Sequence, residues 1–340
     1  MRVLIDVNHP AHVHLFRCAA KLWLDAGEAV LFTATEKDVT ESLLQAYDLP
    51  HDTIYTRQSG TINLAKELVL RTGKLVNTGR HFKPDIILSL GSPTAAWAST
   101  ILRRPHIAFE DTEDSIGQIW LYQPFTKAIC VPEAFTRDFG ERMVRYAGYH
   151  ELAYLHPRRF IPDPARIAPL LSNERFFVVR FVSWNAAHDD GEAGLSEEGQ
   201  QDLFDLLRPF GKVVVSEENQ PPYLLDDGHV FGADAMHHLL AYADMYIGEG
   251  VTAASEAACL GTASILINTR TLGYISEQEE KFQLVYHIGD EESALAKVER
   301  MLPQDDLKNV WQCRRDRLLD EKIDVTEWID QFVREMVSSE

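Results

Sequence analysis

Nowhere do the 340 residues contain an apolar run approaching membrane-spanning length, and, with a strand pattern at its opening, the chain is expected to carry no secretion signal. Cysteine is scarce. The four present, Cys18, Cys130, Cys259 and Cys313, are scattered without metal or disulfide spacing, which points to a reducing cytoplasm. Cys130 and Cys259 sit among apolar neighbours and are expected in a core. Basic residues are also short: 33 Lys and Arg face 52 Asp and Glu, a net charge of −19. That excludes a general nucleic-acid binder and disfavours docking on anionic lipid. Any local basic patch must draw on Arg103-Arg104, Arg158-Arg159 or Arg314-Arg315. There are no repeats and no low-complexity tracts.

What is present reads as a soluble globular chain of two ordinary domains, with 45% hydrophobic and 25% charged residues. Strand patterns over 3–7, 29–34, 84–89, 105–109 and 128–131 alternate with helical patterns over 15–26, 40–47, 62–82 and 94–102. Residues 8–13 read as a turn. Prolines 157, 162 and 164 mark 149–164 as an interdomain connection. The theme then repeats, with strands over 176–181, 212–216, 245–247 and 264–268 and helices over 196–207, 236–243, 291–301 and 305–319. A last helix over 325–336 carries Trp328, Ile329, Phe332 and Val333 on one side. Such alternation implies right-handed crossovers and parallel sheets. The expected architecture is α/β with two doubly wound, Rossmann-like domains facing a central cleft. The expected boundaries are 1–155 on the acceptor side, 165–320 on the nucleotide-sugar side and 321–340 as the closing helix.

The stretch 233–263 organises the functional reading. It reads as helix, short buried strand Met245-Tyr246-Ile247, glycine turn Gly248-Glu249-Gly250, and a second helix of small residues. A helix opening after a parallel strand points unpaired N–H groups at the sheet's carboxyl edge, where they can hold a diphosphate. Gly248 and Gly250 suit a tight turn, and Thr252 or Ser255 would lie near the helix start. Glu256, one to two turns in, could accept hydrogen bonds from a ribose. The plain alternative is a solvated helix glutamate.

Gly250-Val251-Thr252-Ala253-Ala254-Ser255-Glu256 resembles the nucleotide-sugar site of GT-B glycosyltransferases. It is most similar to the Gly-x-x-Thr-x-Ser-Glu pattern of the peptidoglycan N-acetylglucosaminyltransferases that form lipid II, with Thr252 one position early. The resemblance implies a ribose-binding role for Glu256. Across nearly its whole length the chain also resembles a prokaryotic family of unassigned reaction grouped with GT-B proteins. That likeness rests on His9-Pro10-Ala11-His12-Val13-His14, Glu151-Leu152-Ala153-Tyr154-Leu155-His156-Pro157 and Arg180-Phe181-Val182-Ser183-Trp184. In GT-B proteins the final helix packs back across the cleft.

His9, His12 and His14 follow the first strand, at the switch-point edge where ligands bind. No carboxylate or cysteine completes a metal pattern, so no metal is assigned. Acid–base work suits them better, because an imidazole near its ordinary pKa takes a proton at neutral pH. The lipid II-forming family has a His-Val pair at the matching distance from a helix-ending glycine. This places the base at His12, with His9 second. His14 reads as local packing.

Ser89-Leu90-Gly91-Ser92-Pro93 is a second strand-to-helix turn, either a ligand site or a capped helix. Glu110-Asp111-Thr112-Glu113-Asp114 ends a strand. It is either a solvated loop or a general base, acceptor or divalent-ion site, with Glu110 and Asp111 singled out. In the second half, Ser183 could donate to a phosphate and Arg180 could supply cationic charge. Trp184 could stack on a sugar, His188 and Asp189 share its loop, and Ser216-Glu217-Glu218 is a weaker candidate. Phe231, beside His229 and Val230, could hold a uracil.

Together these features imply transfer of a sugar from a nucleotide diphosphate sugar, expected to be UDP-linked, with inversion and no required cofactor. The acceptor would be a hydroxyl on a glycan or lipid-linked molecule, in cell-surface or exopolysaccharide synthesis. A non-hydrolysing UDP-N-acetylglucosamine 2-epimerase resembles the same pattern. It would need carboxylates on both faces of the sugar, and Glu110, Asp111 and Glu113 form the local cluster. A non-catalytic nucleotide-sugar binder is the third reading.

Overall fold

The computed structural model describes residues 1–36, 38–56, 64–170, 174–182, 194–217, 220–225 and 230–339. Ser183, Trp184, His188, Asp189, Glu218 and His229 lie outside the described residues. The chain forms two compact units, Met1–Tyr154 with Ile323–Glu340, and Leu155–Lys322.

The first unit runs β1 (Arg2–Val7), α1 (Pro10–Asp25), β2 (Ala29–Glu36), α2 (Asp38–Ala46), β3 (His51–Thr56), α3 (Leu64–Phe82) and β4 (Ile86–Leu90). It continues with α4 (Pro93–Leu102), β5 (His106–Phe109), α5 (Ile116–Tyr122), β6 (Ala128–Pro132) and β7 (Met143–Tyr146), and then α6 (Leu152–Leu155). Its sheet is ordered β3-β2-β1-β4-β5-β6-β7 and every pairing is parallel. Central strands of a sheet covered on both faces need apolar residues on both sides. Val3, Leu4, Ile5 and Ile86 to Leu88 meet that need, with no exposed surface.

The second unit runs β8 (Arg175–Phe181), α7 (Glu197–Leu207), β9 (Gly211–Glu217), β10 (Gln220–Leu225), β11 (Val230–Phe231), α8 (Met236–Tyr242) and β12 (Met245–Gly248). Then come α9 (Val251–Leu260), β13 (Ala263–Ile267), α10 (Gly273–Glu280), β14 (Val285–Ile288), α11 (Glu291–Met301) and α12 (Leu307–Glu321). The order is β11-β10-β9-β8-β12-β13-β14, parallel from β9 to β14 and antiparallel at the β10 and β11 end.

The last helix, α13 (Val325–Ser338), packs on α1 within the first unit. Trp23 Nε1 donates to Asp330 at 2.6 Å, Arg334 pairs with Glu28 at 2.9 Å, and Thr326 donates to the Ala153 carbonyl. Val325, Ile329 and Val333 are fully buried.

Each sheet reverses its strand order once. In the first the switch falls between β1 and β4, and in the second between β8 and β12. The loops leaving those four strands carry the residues considered next.

Several elements differ from expectation. Residues 8–13 are not a turn throughout: α1 begins at Pro10, with His9 as its cap. Proline suits a first helical position because its missing N–H would have had no partner there. β3 is a polar edge strand, and β10 carries Pro221 and Pro222 beside a register shift between Gln220 and Leu224. Proline is tolerated in a strand at such an irregularity, and its presence hides the strand from pattern reading.

Candidate active site

At the carboxyl edge of β1, His9 accepts from the Ala11 amide at Nδ1 (3.2 Å), and its own carbonyl accepts from the His12 amide (3.1 Å). His12 therefore sits in the first turn of α1, 5.9 Å ring to ring from His9. It is buried, and its Nδ1 meets no partner among the described residues. Burial holds its pKa well below the usual histidine value, helped by His9 and Arg71 and opposed by Asp111. The ring is therefore a neutral base at neutral pH. His14 is buried and stacks on Tyr154, in keeping with local packing.

Asp6, the penultimate residue of β1, was not anticipated as a centre. It is 1% exposed and accepts from both sides: Arg71 Nη2 at 2.9 Å, Ser92 Oγ at 2.7 Å and Thr33 Oγ1 at 3.1 Å. A buried carboxylate persists when paired and fully hydrogen-bonded. The signal available in sequence was an aspartate closing an apolar strand, with an arginine on a later helix to answer it. Ser92 also caps α4 by accepting from the Ala95 amide, and Ser89 holds His106 Nε2 at 2.9 Å. The capped-helix reading of 89–93 therefore accounts for both serines. His106 is a core histidine that burial pushes down to about 3.

The Glu110–Asp114 cluster is not a solvated loop. Glu110 is 2% exposed and turns inward. Its Oε1 accepts from the Asp111 and Thr112 amides and its Oε2 from Tyr122 Oη at 3.0 Å. Burial, then the Asp111 charge, push its pKa up to about 8, so it holds a proton at neutral pH and cannot be the general base there. Gly91 leaves room for it: a Cβ there would lie 2.8 Å from Glu110 Oε2, and its φ of +53° also favours glycine. Glu113 accepts from the Thr136 amide.

Asp111 faces differently. Burial would raise its pKa, but the His150 charge beside it, a hydrogen bond from Thr112 Oγ1, and His12 bring the net shift below the ordinary value. His150 Nδ1 lies 2.9 Å from Asp111 Oδ2, with the N–H off the line to the carboxylate. Among the described residues His150 Nε2 and Tyr146 Oη are buried without a partner. The two rings stack at 6.3 Å, and Trp328 lies 4.8 Å from Tyr146. The structure thus gathers His9, His12, Arg71, Asp111 and His150 at one edge, coupled through charge. His150 went unnoticed because it sits in a turn after β7, a strand of four residues and too short to read.

In the second unit, β12 ends in Gly248 and α9 starts after Gly250. Neither glycine has a positive φ, so this tight turn does not rest on a left-handed backbone. Space is the reason instead. A Cβ on Gly248 would lie 2.5 Å from the Arg180 carbonyl oxygen, and one on Gly250 would lie 3.3 Å from the Arg180 side chain. No side chain caps α9, and Thr252 in its first turn is exposed. The amides that open α9 are thus not taken by a capping side chain.

Ser255 does not join them. It is fully buried, and Gln278 Nε2 donates to its hydroxyl at 2.7 Å. Glu256 is buried rather than solvated, with Oε1 2.9 Å from His237 Nε2 on α8. Arg180, at the end of β8, donates to Ser216 Oγ at 2.7 Å. Phe231 is 3% exposed, so its ring has little face left for a base. Glu249 was passed over as part of the glycine turn. It is 2% exposed and accepts from the Val182 amide at 2.8 Å and the Leu195 amide at 2.7 Å, on either side of 183–193. Asn268 Nδ2 donates to the Glu249 carbonyl at 3.0 Å. One residue therefore ties the exits of β8, β12 and β13 together.

Among the described residues no group of three His, Cys, Asp or Glu is placed to hold a metal ion. Nor is any helix among them long and apolar enough to cross a membrane.

No family model matches the chain, and no curated protein matches it. Solved structures do. The spinosyn forosaminyltransferase SpnP superposes with a TM-score of 0.67 at 12% identity, covering 99% of each chain. The glycosyltransferase VinC, solved in complex with dTDP, gives 0.65 at 11% over 100% of each. A UDP-N-acetylglucosamine 2-epimerase homologue from Listeria monocytogenes gives 0.62 at 12%, covering 95% of this chain and 91% of that one. What the chain shares with them is the fold, two Rossmann-like parallel-sheet units of the GT-B type.

Proposed function

We propose that the protein is a glycosyltransferase that moves a sugar from a nucleotide diphosphate sugar, UDP-linked, to a hydroxyl acceptor. The observation that carries this reading is the opening of α9. It is a helix start free of any side-chain cap, at the switch point of a parallel sheet, with Arg180 packed against Gly250 and the buried Glu256–His237 pair one turn on. In this reading the α9 amides and Arg180 take the diphosphate and Glu256 takes the ribose hydroxyls. His12 removes the proton from the acceptor hydroxyl. The acceptor oxygen bonds to the anomeric carbon as its bond to the diphosphate oxygen breaks, and the electron pair leaves with the nucleoside diphosphate. Main-chain N–H groups aimed at that departing charge lower the barrier. One displacement inverts the anomeric centre.

Epimerisation at C2 needs carboxylates free to work on both faces of the sugar. Glu110 and Glu113 are buried, with oxygens accepting main-chain amides, which supports transfer instead. The test is product analysis with UDP-, GDP-, TDP- and CMP-sugars and a panel of glycan and lipid-linked acceptors. Release of nucleoside diphosphate with a new glycoside is expected. Deuterium exchange at C2 without a glycoside would overturn the assignment.

A further inference from the structure

A concavity of about 470 Å³ opens at the amino edge of the first sheet, opposite the edge that carries His12. Its position follows from the chain: His106 begins β5, Lys127 precedes β6, Arg142 precedes β7, and Ser99 to Arg103 close α4. Four of its lining residues are cationic, Arg103, Arg104, Lys127 and Arg142, and none is acidic. In a chain with 19 more carboxylates than basic groups, that clustering needs a reason.

Ion pairing does not supply it for Arg103 or Arg104. Arg103 and Arg104 are exposed, and neither side chain makes an ion pair or hydrogen bond among the described residues. Arg142 donates through Nη1 to the Gln123 and Thr126 carbonyls, which fixes its guanidinium at the pocket wall without neutralising it. Arg103 closes α4 with φ +54°, a left-handed position where glycine is the usual occupant. An arginine there favours the helix dipole. That accounts for Arg103 and leaves the exposed Arg104 beside it unexplained.

We propose that this concavity binds the phosphate groups of an anionic ligand, at a site separate from the edge that carries His12. Guanidinium groups recognise phosphate oxygens with paired, charge-assisted hydrogen bonds. The volume suits a diphosphate or a phosphate monoester with a small head. Phosphate of this kind reaches the protein either as a soluble ester or as the headgroup of an amphiphile. Phe125, 46% exposed in the lining, and Trp120, 69% exposed on neighbouring α5, give the second source an apolar surface beside the charge.

The experiment compares wild type with Arg103→Ala/Arg104→Ala, both exposed positions whose loss leaves the core intact. Inorganic pyrophosphate is titrated by calorimetry, and sedimentation is measured with phosphatidylglycerol and with phosphatidylcholine vesicles. Any pyrophosphate bound at α9 is common to both proteins, so the readout is the site the double variant loses. Wild type should show a pyrophosphate site, or a salt-sensitive affinity for phosphatidylglycerol vesicles alone, that weakens about tenfold or more in the variant. Pyrophosphate binding without vesicle binding identifies a soluble ligand, and vesicle binding identifies a lipid headgroup. Wild type and variant behaving alike in both arms overturns the proposal.

Discussion

Nδ1 of His150 lies 2.9 Å from Oδ2 of Asp111, so this carboxylate, two residues past the end of β5, is shared between that ring and the charge field of His12. Asp111 is the group that raises the His12 pKa, against burial, His9 and Arg71, which lower it. Asp111→Asn should therefore push His12 still lower. In an NMR titration its ring signals should move at a more acidic pH than in wild type. An upward move would contradict the coupling.

His12 itself is expected to act on turnover rather than on donor affinity. His12→Ala should lower kcat by about 10²- to 10⁴-fold, the range for loss of a general base, with the donor Kd unchanged within about twofold. Because the folded ring takes its proton only well below pH 6.5, the acid limb of the wild-type rate profile should lie below that value. Full activity in the variant would move the base elsewhere.

The two glycines of the β12–α9 turn should differ in what they tolerate. Gly248→Ala drives a Cβ to 2.5 Å from a backbone carbonyl that cannot step aside, and should cost about 1–3 kcal/mol of stability. Gly250→Ala meets side chains alone, Arg180 at 3.3 Å and Tyr246 Oη at 3.5 Å, and should cost less. Denaturant titration of both variants checks the order. A neutral Gly248→Ala would show that the close approach of β8 is not real.

Glu110 gives the protein a stability that alkali removes. Its folded pKa of about 8 lies above the ordinary 4.5, so between those values the folded chain holds a proton that the unfolded chain has lost. Stability from this group is therefore full below pH 4.5 and declines as pH rises through 8. Glu110→Gln keeps the shape and the amide acceptor without the charge, and should stabilise the protein by more than about 1 kcal/mol at pH 8.5. Thermal unfolding at pH 5.5 and pH 8.5 should show the gain at the higher pH. A gain equal at both would remove the titration argument.

Much of the architecture was legible because buried parallel strands must be apolar on both faces. Ile86–Leu90, Met245–Gly248 and Ala263–Ile267 announce themselves by composition. β3 and β10 do not, because edge and irregular strands carry polar residues and proline for the same physical reason that interior strands cannot, and β7 is only four residues long. The switch-point loops were also legible, since glycine, proline and histidine after a strand are local signals. Which side chain faces the ligand was not. Ser255 and Glu110 have the right chemistry at the right spacing, yet Gln278 and Tyr122, distant in sequence, draw them inward. Asp6–Arg71 and Glu249 were missed because their partners, 65 residues away in the one case and main-chain amides in the other, leave no local pattern.

The claim on which the account rests is that the opening of α9 and Glu256 hold a nucleoside diphosphate. Calorimetric titration of UDP tests it most directly. Wild type should bind at a single strong site, and Glu256→Ala should weaken that site by about tenfold or more while leaving the fold unchanged. Equal UDP affinity in the two proteins, or no binding of UDP, GDP or TDP to the wild type, would contradict it.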